Sequence, residues 1–378
     1  MTRVYLHIGA PKTGTTYLQE VLFNNRARLA QRGVLFPGDS SSAHYAAALD
    51  LRELDFGGYD DPDAEGAWDA VVAATRSWRG DAVVISHELL AGAHEPAVER
   101  ALASLAGHEV HVVLTARDLG RQVPAVWQEM IKNNQTISYA AYLKQLTSKA
   151  RKGRAARIFW RQQDAAGVLA HWSQYVPEER VHLVTVPPAG SSPTLLWERL
   201  CTVLGIASDG YDTVVPRANV SLGLAEAELL RRTNEELEGR LDWPQFASVA
   251  KFWLAEELLS ARVDSARAQV PDRLRPWFAK TSQAMVDEIV AHDYDVVGDL
   301  ADLEPVYGST GAASTPMPSD VVDAAAYALA AVLLDRVESR QGGMMRDMSE
   351  RLRGPHRRRV LRILPAWIKQ RLRRANPR

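Results

Sequence analysis

Four short apolar runs organise the first half of the chain: Val4 to Ile8, Ala82 to Ser86, Val110 to Ala116 and Arg180 to Val186. They are rich in β-branched residues, the composition of strands buried on both faces of a parallel sheet. Stretches with apolar residues at helical spacing lie between them. Leu18, Val21, Leu22 and Leu29 form one face, with Gly33 as its stop. Arg121 to Lys132 reads as a helix with Pro124 in its first turn, where proline is tolerated. Residues 165–175 hold a helical stretch with Trp172, Leu195 to Leu204 reads as a helix ended by Gly205, and Leu224 to Leu241 reads as a further packing helix. Strands alternating with helices predict an α/β fold, a mostly parallel central sheet with helices on both faces. Sheets of that kind place ligands at the carboxyl ends of their strands.

The residues at those carboxyl ends therefore carry the candidate chemistry. After the first run the chain reads Gly9-Ala10-Pro11-Lys12-Thr13-Gly14-Thr15-Thr16-Tyr17 and enters a helix. A strand, a glycine-bearing loop and a helix start point backbone N–H groups and a positive dipole end at an anion. Gly9 and Gly14 have Walker A separation, but the lysine precedes the second glycine instead of following it. The order Pro-Lys-Thr-Gly-Thr-Thr-Tyr resembles the 5′-phosphosulfate loop of sulfotransferases, which use 3′-phosphoadenosine 5′-phosphosulfate (PAPS). The resemblance runs from Val4 to about Leu303 and is most specific at this loop.

The resemblance implies roles at matching positions. Pro11, Lys12, Thr13, Gly14, Thr15 and Thr16 would bind the 5′-phosphosulfate, and Tyr17 matches an aromatic position that stacks on adenine. Arg117, at the end of the third run, matches the arginine that holds the 3′-phosphate. The family's serine eight residues on is Ala125 here, a departure for which Arg121, Gln122 or a backbone N–H are the candidate replacements. Arg217, in the loop Pro216 to Ser221, matches a basic loop that can close over the 3′-phosphate. The catalytic base in the family is a histidine or glutamate near a strand end, and His87 and Glu88 stand side by side after Ser86. Ser86-His87-Glu88 looks like bacterial members and favours Glu88, with His87 as the other candidate. Alternation along a strand turns only one of them toward the site. The plain alternative makes Glu88 a cap for the next helix.

These residue types fit sulfuryl transfer. An in-line displacement asks the protein mainly for positioning. A base takes the acceptor proton, and a lysine with loop N–H groups stabilises charge on the leaving nucleotide. The sulfuryl group is less anionic than a phosphoryl group, and no cluster with metal-ligand spacing stands out, so no metal is expected. The expected acceptor is a hydroxyl, or less readily an amine, of a carbohydrate, lipid or small metabolite. Its pocket is expected from residues 38–65, 127–160 and 220–300, with the polar run Asn133 to Thr136 among them. Two other readings stay open. A P-loop nucleotide kinase or NTPase would use Asp118 as a Walker B acid, and a non-catalytic nucleotide-binding scaffold would be consistent with Ala125.

Composition adds the domain plan. The 378 residues are 46% apolar, enough for a large core. Residues 1–306 read as the α/β domain, 307–319 as a small-residue linker, and 320–378 as a helical extension. The net charge of −1 hides an asymmetry: residues 351–378 carry 11 Lys or Arg and no acid, against −12 for the remainder. The tail includes Trp367 and the kinking Pro365, so peripheral contact with an anionic membrane is one expectation. Nucleic acid is not expected, because no reader motif accompanies the charge. A single cysteine, no signal-peptide core and a longest apolar run of eleven residues (324–334) lead to a cytoplasmic expectation, with the inner membrane face as its variant.

Overall fold

The computed structural model describes residues 1–55, 58–215, 221–262, 265–308 and 315–353, the last sixteen as helix backbone. The chain divides into two units, Met1–Val321 and Val322–Arg378. In the first unit the elements follow the order β1 (Arg3–His7), α1 (Thr15–Asn24), α2 (Arg26–Gln31), β2 (Val34–Leu35), α3 (Ala43–Arg52), α4 (Ala67–Ser77) and β3 (Ala82–Ser86). Next come α5 (Glu95–Ser104), β4 (Glu109–Ala116), α6 (Leu119–Lys132), α7 (Tyr139–Leu146), α8 (Arg154–Gln163), α9 (Ala165–Trp172) and β5 (Val181–Thr185). The remainder are α10 (Leu195–Leu204), α11 (Leu224–Leu237), α12 (Trp243–Phe246), a π-helix (Ala247–Leu258), α13 (Arg275–Val290) and β6 (Asp295–Val297). A long helix, α14 (Pro318–Arg353), begins at the end of this unit. Within the second unit it exposes Leu329, Leu333 and Leu334. Among the described residues no helix is long and apolar enough to cross a membrane.

The six strands form one open sheet in the order β2-β3-β1-β4-β5-β6, every neighbouring pair parallel. This is the α/β architecture the hydrophobic pattern predicts. Val4 lies opposite Val83 and Val110, and Leu6 opposite Ile85 and Val112. That register stacks the even positions of β1 on one face, against α3, α4, α5 and α9. Tyr5, Val84, Val113 and Val184 face the other way, onto α1, α2 and α10. From β1 the chain turns first toward β2 and β3 and then returns to β4 on the other side. The switch therefore lies above β1, where a parallel sheet opens a crevice for ligand.

Several boundaries differ from the expected ones for identifiable reasons. The stretch from Leu18 to Gly33 is two helices, because Asn25 leaves helical geometry. Its amide donates to Val21 and to the Asp212 carbonyl, and its side-chain oxygen accepts from the Asp212 N–H. Helix α6 begins at Leu119 and not Arg121, because Asp118 caps it by accepting from the Arg121 N–H. Pro124 consequently sits in the second turn. Helix α11 ends at Leu237, with Glu238 in the left-handed region. The short strands β2 and β6, of two and three residues, lie below the length at which alternation is visible.

Two buried histidines add an acid sensitivity to this frame. His44 is fully used as a neutral ring: Nε2 donates to the Pro37 carbonyl at 2.7 Å and Nδ1 accepts from the Ser86 N–H at 3.0 Å. His7 lies beside the Ser86 hydroxyl at 2.7 Å. Burial pushes both rings down to about 4. The unfolded chain binds protons near pH 6.5 that the folded chain refuses, so stability falls as pH drops from 6.5 toward 4. Each ring contributes up to about 1.4 kcal/mol per pH unit. Denaturant midpoints should decline between pH 6.5 and 4.5, and the His44 ring signals in NMR should not titrate in that interval. A His44 ring that titrates near pH 6.5 would contradict this placement.

Candidate active site

The loop after β1 is anchored at its start by the sheet. Ile8 and Ala10 donate to the Val113 and Thr115 carbonyls, extending the β1–β4 ladder past the last strand residue. Its carbonyls are then tied back in sequence. The Ala10 carbonyl accepts from the Thr13 hydroxyl at 2.5 Å, and the Pro11 carbonyl accepts from the amides of Gln122 and Gln163. The Lys12 carbonyl accepts from Arg117 Nη1 at 3.5 Å. Three positive φ angles shape the turn: Gly9 at 41°, Lys12 at 69° and Gly14 at 84°. Gly9 is needed twice over, since a Cβ there would run into Thr15 Cγ2. Helix α1 starts at Thr15 with no side-chain cap. Its first N–H groups thus lack intrahelical partners, and Gly14, Thr15 and Thr16 line a cavity of about 630 Å³.

Lys12 reaches the same cavity and is gripped by Glu129 of α6 at 2.5 Å. Glu129 also takes Lys251 of the π-helix at 3.2 Å, while Lys132, one turn along α6, pairs with Glu256 of the π-helix at 3.3 Å. Burial pushes the Glu129 carboxyl up, but Lys12, Lys251 and Lys132 outweigh it and hold the group at about 2. The π-helix is thereby cross-linked to α6 across the mouth of the loop. In π-helices the extra residue per turn often marks a functional position.

His87 and Glu88 both line this cavity. The expectation that only one would face it fails because β3 stops at Ser86. Glu88 then opens a 3₁₀ turn, Glu88–Gly92, so strand alternation no longer applies. Here His87 is the capping residue: its Nδ1 accepts from the Leu89 N–H at 3.2 Å. Burial lowers the His87 pKa, and neighbouring Arg52 lowers it further. With Nδ1 accepting, the neutral ring keeps its proton on Nε2 and has no free basic nitrogen. Glu88 is lowered despite its burial, because it lies next to His87 and accepts from Gln19 and Thr15. Arg52 fixes the turn by donating to the Leu89 and Gly92 carbonyls, at 2.5 and 2.7 Å.

Arg117 stands at the end of β4 and lines a second cavity of about 240 Å³, shared with Lys12 and Gly14. Burial and the neighbouring Arg121 lower its pKa to about 10, with Nε buried and unpartnered. Ala125 lines this cavity too. Two of the candidate replacements for its missing hydroxyl, Arg121 and Gln122, do not line this cavity: Arg121 pairs with Asp118, and Gln122 binds Pro11 and Gln163. Lys132 and Ser221 line the cavity instead. Gln128 exchanges two hydrogen bonds with the Leu222 backbone, at 2.9 and 3.1 Å, and so pins the segment bearing Ser221 onto α6.

The Thr13 hydroxyl is buried between Ala10 and Thr115. Tyr17 packs with the core cluster under α1 and α10, lines neither cavity, and has its pKa raised by burial. Arg217 lies outside the described residues. Asp118 cannot serve as a Walker B acid: it is buried, one oxygen accepting from Arg121 and Val306 N–H groups and the other from the Arg121 guanidinium. Glu129, Lys132, Lys251, Glu256 and Ser221 were not singled out from sequence. A signal existed for the first two: Ala125, Gln128, Glu129 and Lys132 have i, i+3, i+4, i+7 spacing, one face of α6. The expected pocket segments do supply the larger cavity, through Tyr45 and Asp61, Met130 and Ile158, and Trp243 and Phe252.

No family model matches the chain, and no curated protein matches it. Two solved structures are similar at low identity. A sulfotransferase from Alicyclobacillus acidocaldarius shares 15% identity, covering 64% of this chain and 97% of its own, with a TM-score of 0.38. The sulfotransferase domain from the curacin biosynthetic pathway shares 11% identity over 78% of this chain and 98% of its own, with a TM-score of 0.32.

The loop geometry makes a direct prediction. Gly107 has φ 91° with open space around its Cβ position, so Gly107→Ala should lose only about 1–2 kcal/mol for left-handed strain. Gly9→Ala adds a collision with Thr15 and should lose roughly 1–3 kcal/mol more, read by chemical denaturation. Equal losses would contradict the packing described for the loop.

Proposed function

We propose that the chain is a PAPS-dependent sulfotransferase, moving a sulfuryl group to a hydroxyl of a carbohydrate, lipid or other small molecule. The observation that carries this reading is the loop Gly9 to Thr16. Its carbonyls are tied back, α1 is uncapped, and Lys12 stands at the cavity it opens on. Such a surface is complementary to an anion. The placement of the lysine before the second glycine and the engagement of both Asp118 oxygens favour it over a nucleotide kinase.

PAPS supplies a sulfuryl group joined to a nucleotide that departs readily. Gly14, Thr15 and Thr16 would hold its 5′-phosphosulfate through backbone N–H groups, with Lys12 released from Glu129 to carry the charge. Arg117, Lys132 and Ser221 would hold the 3′-phosphate, the last two standing in for the hydroxyl absent at Ala125. Glu88 would take the acceptor proton, since it lines the cavity with its carboxylate hydrogen-bonded to Thr15 at the start of α1 while His87 has no free nitrogen. The excess of cations in residues 351–378, most of which lie outside the described residues, suits contact with an anionic membrane surface.

Calorimetry with 3′,5′-ADP against magnesium 5′-ADP tests the assignment. The wild type should prefer 3′,5′-ADP, and Arg117→Ala should weaken it by roughly 10- to 100-fold, the loss of one charge-assisted contact. Preference for magnesium ADP would instead support the kinase reading. Glu88→Gln should keep 3′,5′-ADP affinity and lower single-turnover transfer at least about 100-fold. Because the Glu88 carboxyl titrates below its ordinary 4.5, the wild-type transfer step should hold steady from neutral pH down to that value and fall only beneath it. A limb centred above pH 4.5 would contradict Glu88 as the base.

A further inference from the structure

The larger cavity has a wall whose charge does not match an anionic acceptor. Asp61, Glu88, Glu129 and Glu256 line it, against Lys12 and Lys251 as its ammonium groups. Both lysines are already bound to Glu129, at 2.5 and 3.2 Å, and Lys251 also donates to Asn133 at 2.7 Å. Glu256 is paired with Lys132. Once the nucleotide takes Lys12, Lys251–Glu129 and Lys132–Glu256 are matched pairs, and the charges left over are those of Asp61 and Glu88. Asp61 stands near Tyr45, whose hydroxyl burial and the Asp61 charge push up to about 12. The Tyr45 ring lies 5.5 Å from His87, next in sequence to Glu88. Asp61 therefore faces the same space as the proposed base.

The remaining wall is apolar. Val126 and Met130 come from α6, Ile158 from α8, Trp243 from α12 and Phe252 from the π-helix. Phe252 and Ile158 keep 55% and 38% of their surface exposed, so this apolar part of the wall is open to a bound molecule. Phe252 has the Lys251 ammonium 5.9 Å from its ring centre, so the aromatic side of the wall stays accessible while its nearest cation is held by Glu129.

Resting on the sulfotransferase reading, we propose that the acceptor is a hydroxyl compound with an apolar, ring-sized body that is neutral or carries a cationic substituent, and that Asp61 selects against anionic acceptors. With Lys12 taken by the nucleotide and Lys251 paired with Glu129, an anionic group entering this cavity meets the carboxylates of Asp61 and Glu88 without an unmatched ammonium group in the wall. The bound nucleotide adds further negative charge beside it. An ammonium group is instead attracted by Asp61, and repulsion of the wrong charge is the usual source of such selectivity. In the transfer step the acceptor oxygen forms its bond to sulfur as the bond from sulfur to the nucleotide phosphate oxygen breaks. The hydroxyl proton passes to Glu88, and the electron pair leaves with 3′,5′-ADP.

Three phenols of similar size separate the charge effect from shape: tyramine, tyrosol and 4-hydroxyphenylacetate. Their binding to the full chain saturated with 3′,5′-ADP can be read by ligand-observed NMR. Tyramine is expected to bind at least as well as tyrosol, and 4-hydroxyphenylacetate roughly fivefold or more weaker, the scale of one partly screened charge pair. Asp61→Asn should remove any tyramine advantage and narrow the penalty on 4-hydroxyphenylacetate, leaving tyrosol unchanged. Equal or better binding of 4-hydroxyphenylacetate, no binding of any of the three, or an unchanged order in Asp61→Asn would overturn the proposal. Failure of 3′,5′-ADP itself to bind would sink the co-substrate reading, whereas bound 3′,5′-ADP with a reversed phenol order would sink the acceptor class alone.

Discussion

The hydrogen bonds from Gln122 and Gln163 to the Pro11 carbonyl are the constraint on which the rest of the site depends. A peptide unit has two polar ends, and a loop can offer N–H groups to an anion only if its carbonyls are satisfied elsewhere. Helices α6 and α8 each supply one of the two glutamines, so the orientation of this single peptide is set by elements from distant parts of the chain. Thr13 and Arg117 do the same for the adjoining carbonyls. Gln122 and Gln163 are themselves buried and joined to each other at 2.7 Å, which holds the clamp in one geometry.

A second layer of control is electrostatic. Lys12 points into a space suited to an anion, yet a carboxylate is bound to it. Glu129 holds both Lys12 and Lys251 and satisfies charges that would otherwise be buried without a partner, a condition costing several kcal/mol per ion. In the proposed reaction an arriving nucleotide would displace Glu129 from Lys12, and Lys251 would remain to keep Glu129 neutralised. The Lys132–Glu256 pair offers the same exchange at the second cavity.

What the sequence disclosed was local. The β1 run, the glycine positions and the lysine fall within fifteen residues, so their chemistry is legible as a motif, and Arg117 and Glu88 follow strands whose ends the apolar runs mark. The partners of those residues were not legible, because they arrive from far along the chain: Glu129 to Lys12, Lys251 to Glu129, Ser221 to the Ala125 cavity. Tyr17 shows the converse hazard. Its place in the motif suggested a stacking role, whereas in the fold it is partly buried against the cluster of α1 and α10 and lines neither cavity. Only one of His87 and Glu88 was expected to face the cavity, and both do, because a strand ending at Ser86 gives way to a 3₁₀ turn whose start no hydrophobic period reveals.

The central claim is that the backbone N–H groups of Gly14, Thr15 and Thr16 are the anion-binding surface. Amide NMR of ¹⁵N-labelled protein titrated with 3′,5′-ADP measures this directly. The account predicts saturable downfield shifts of those three amide protons, as for N–H groups gaining a charge-assisted hydrogen bond. It also predicts that Gln122→Ala diminishes them, because the Pro11 carbonyl is then less firmly held away from the ligand. Binding of 3′,5′-ADP that leaves the three amides unmoved would contradict it.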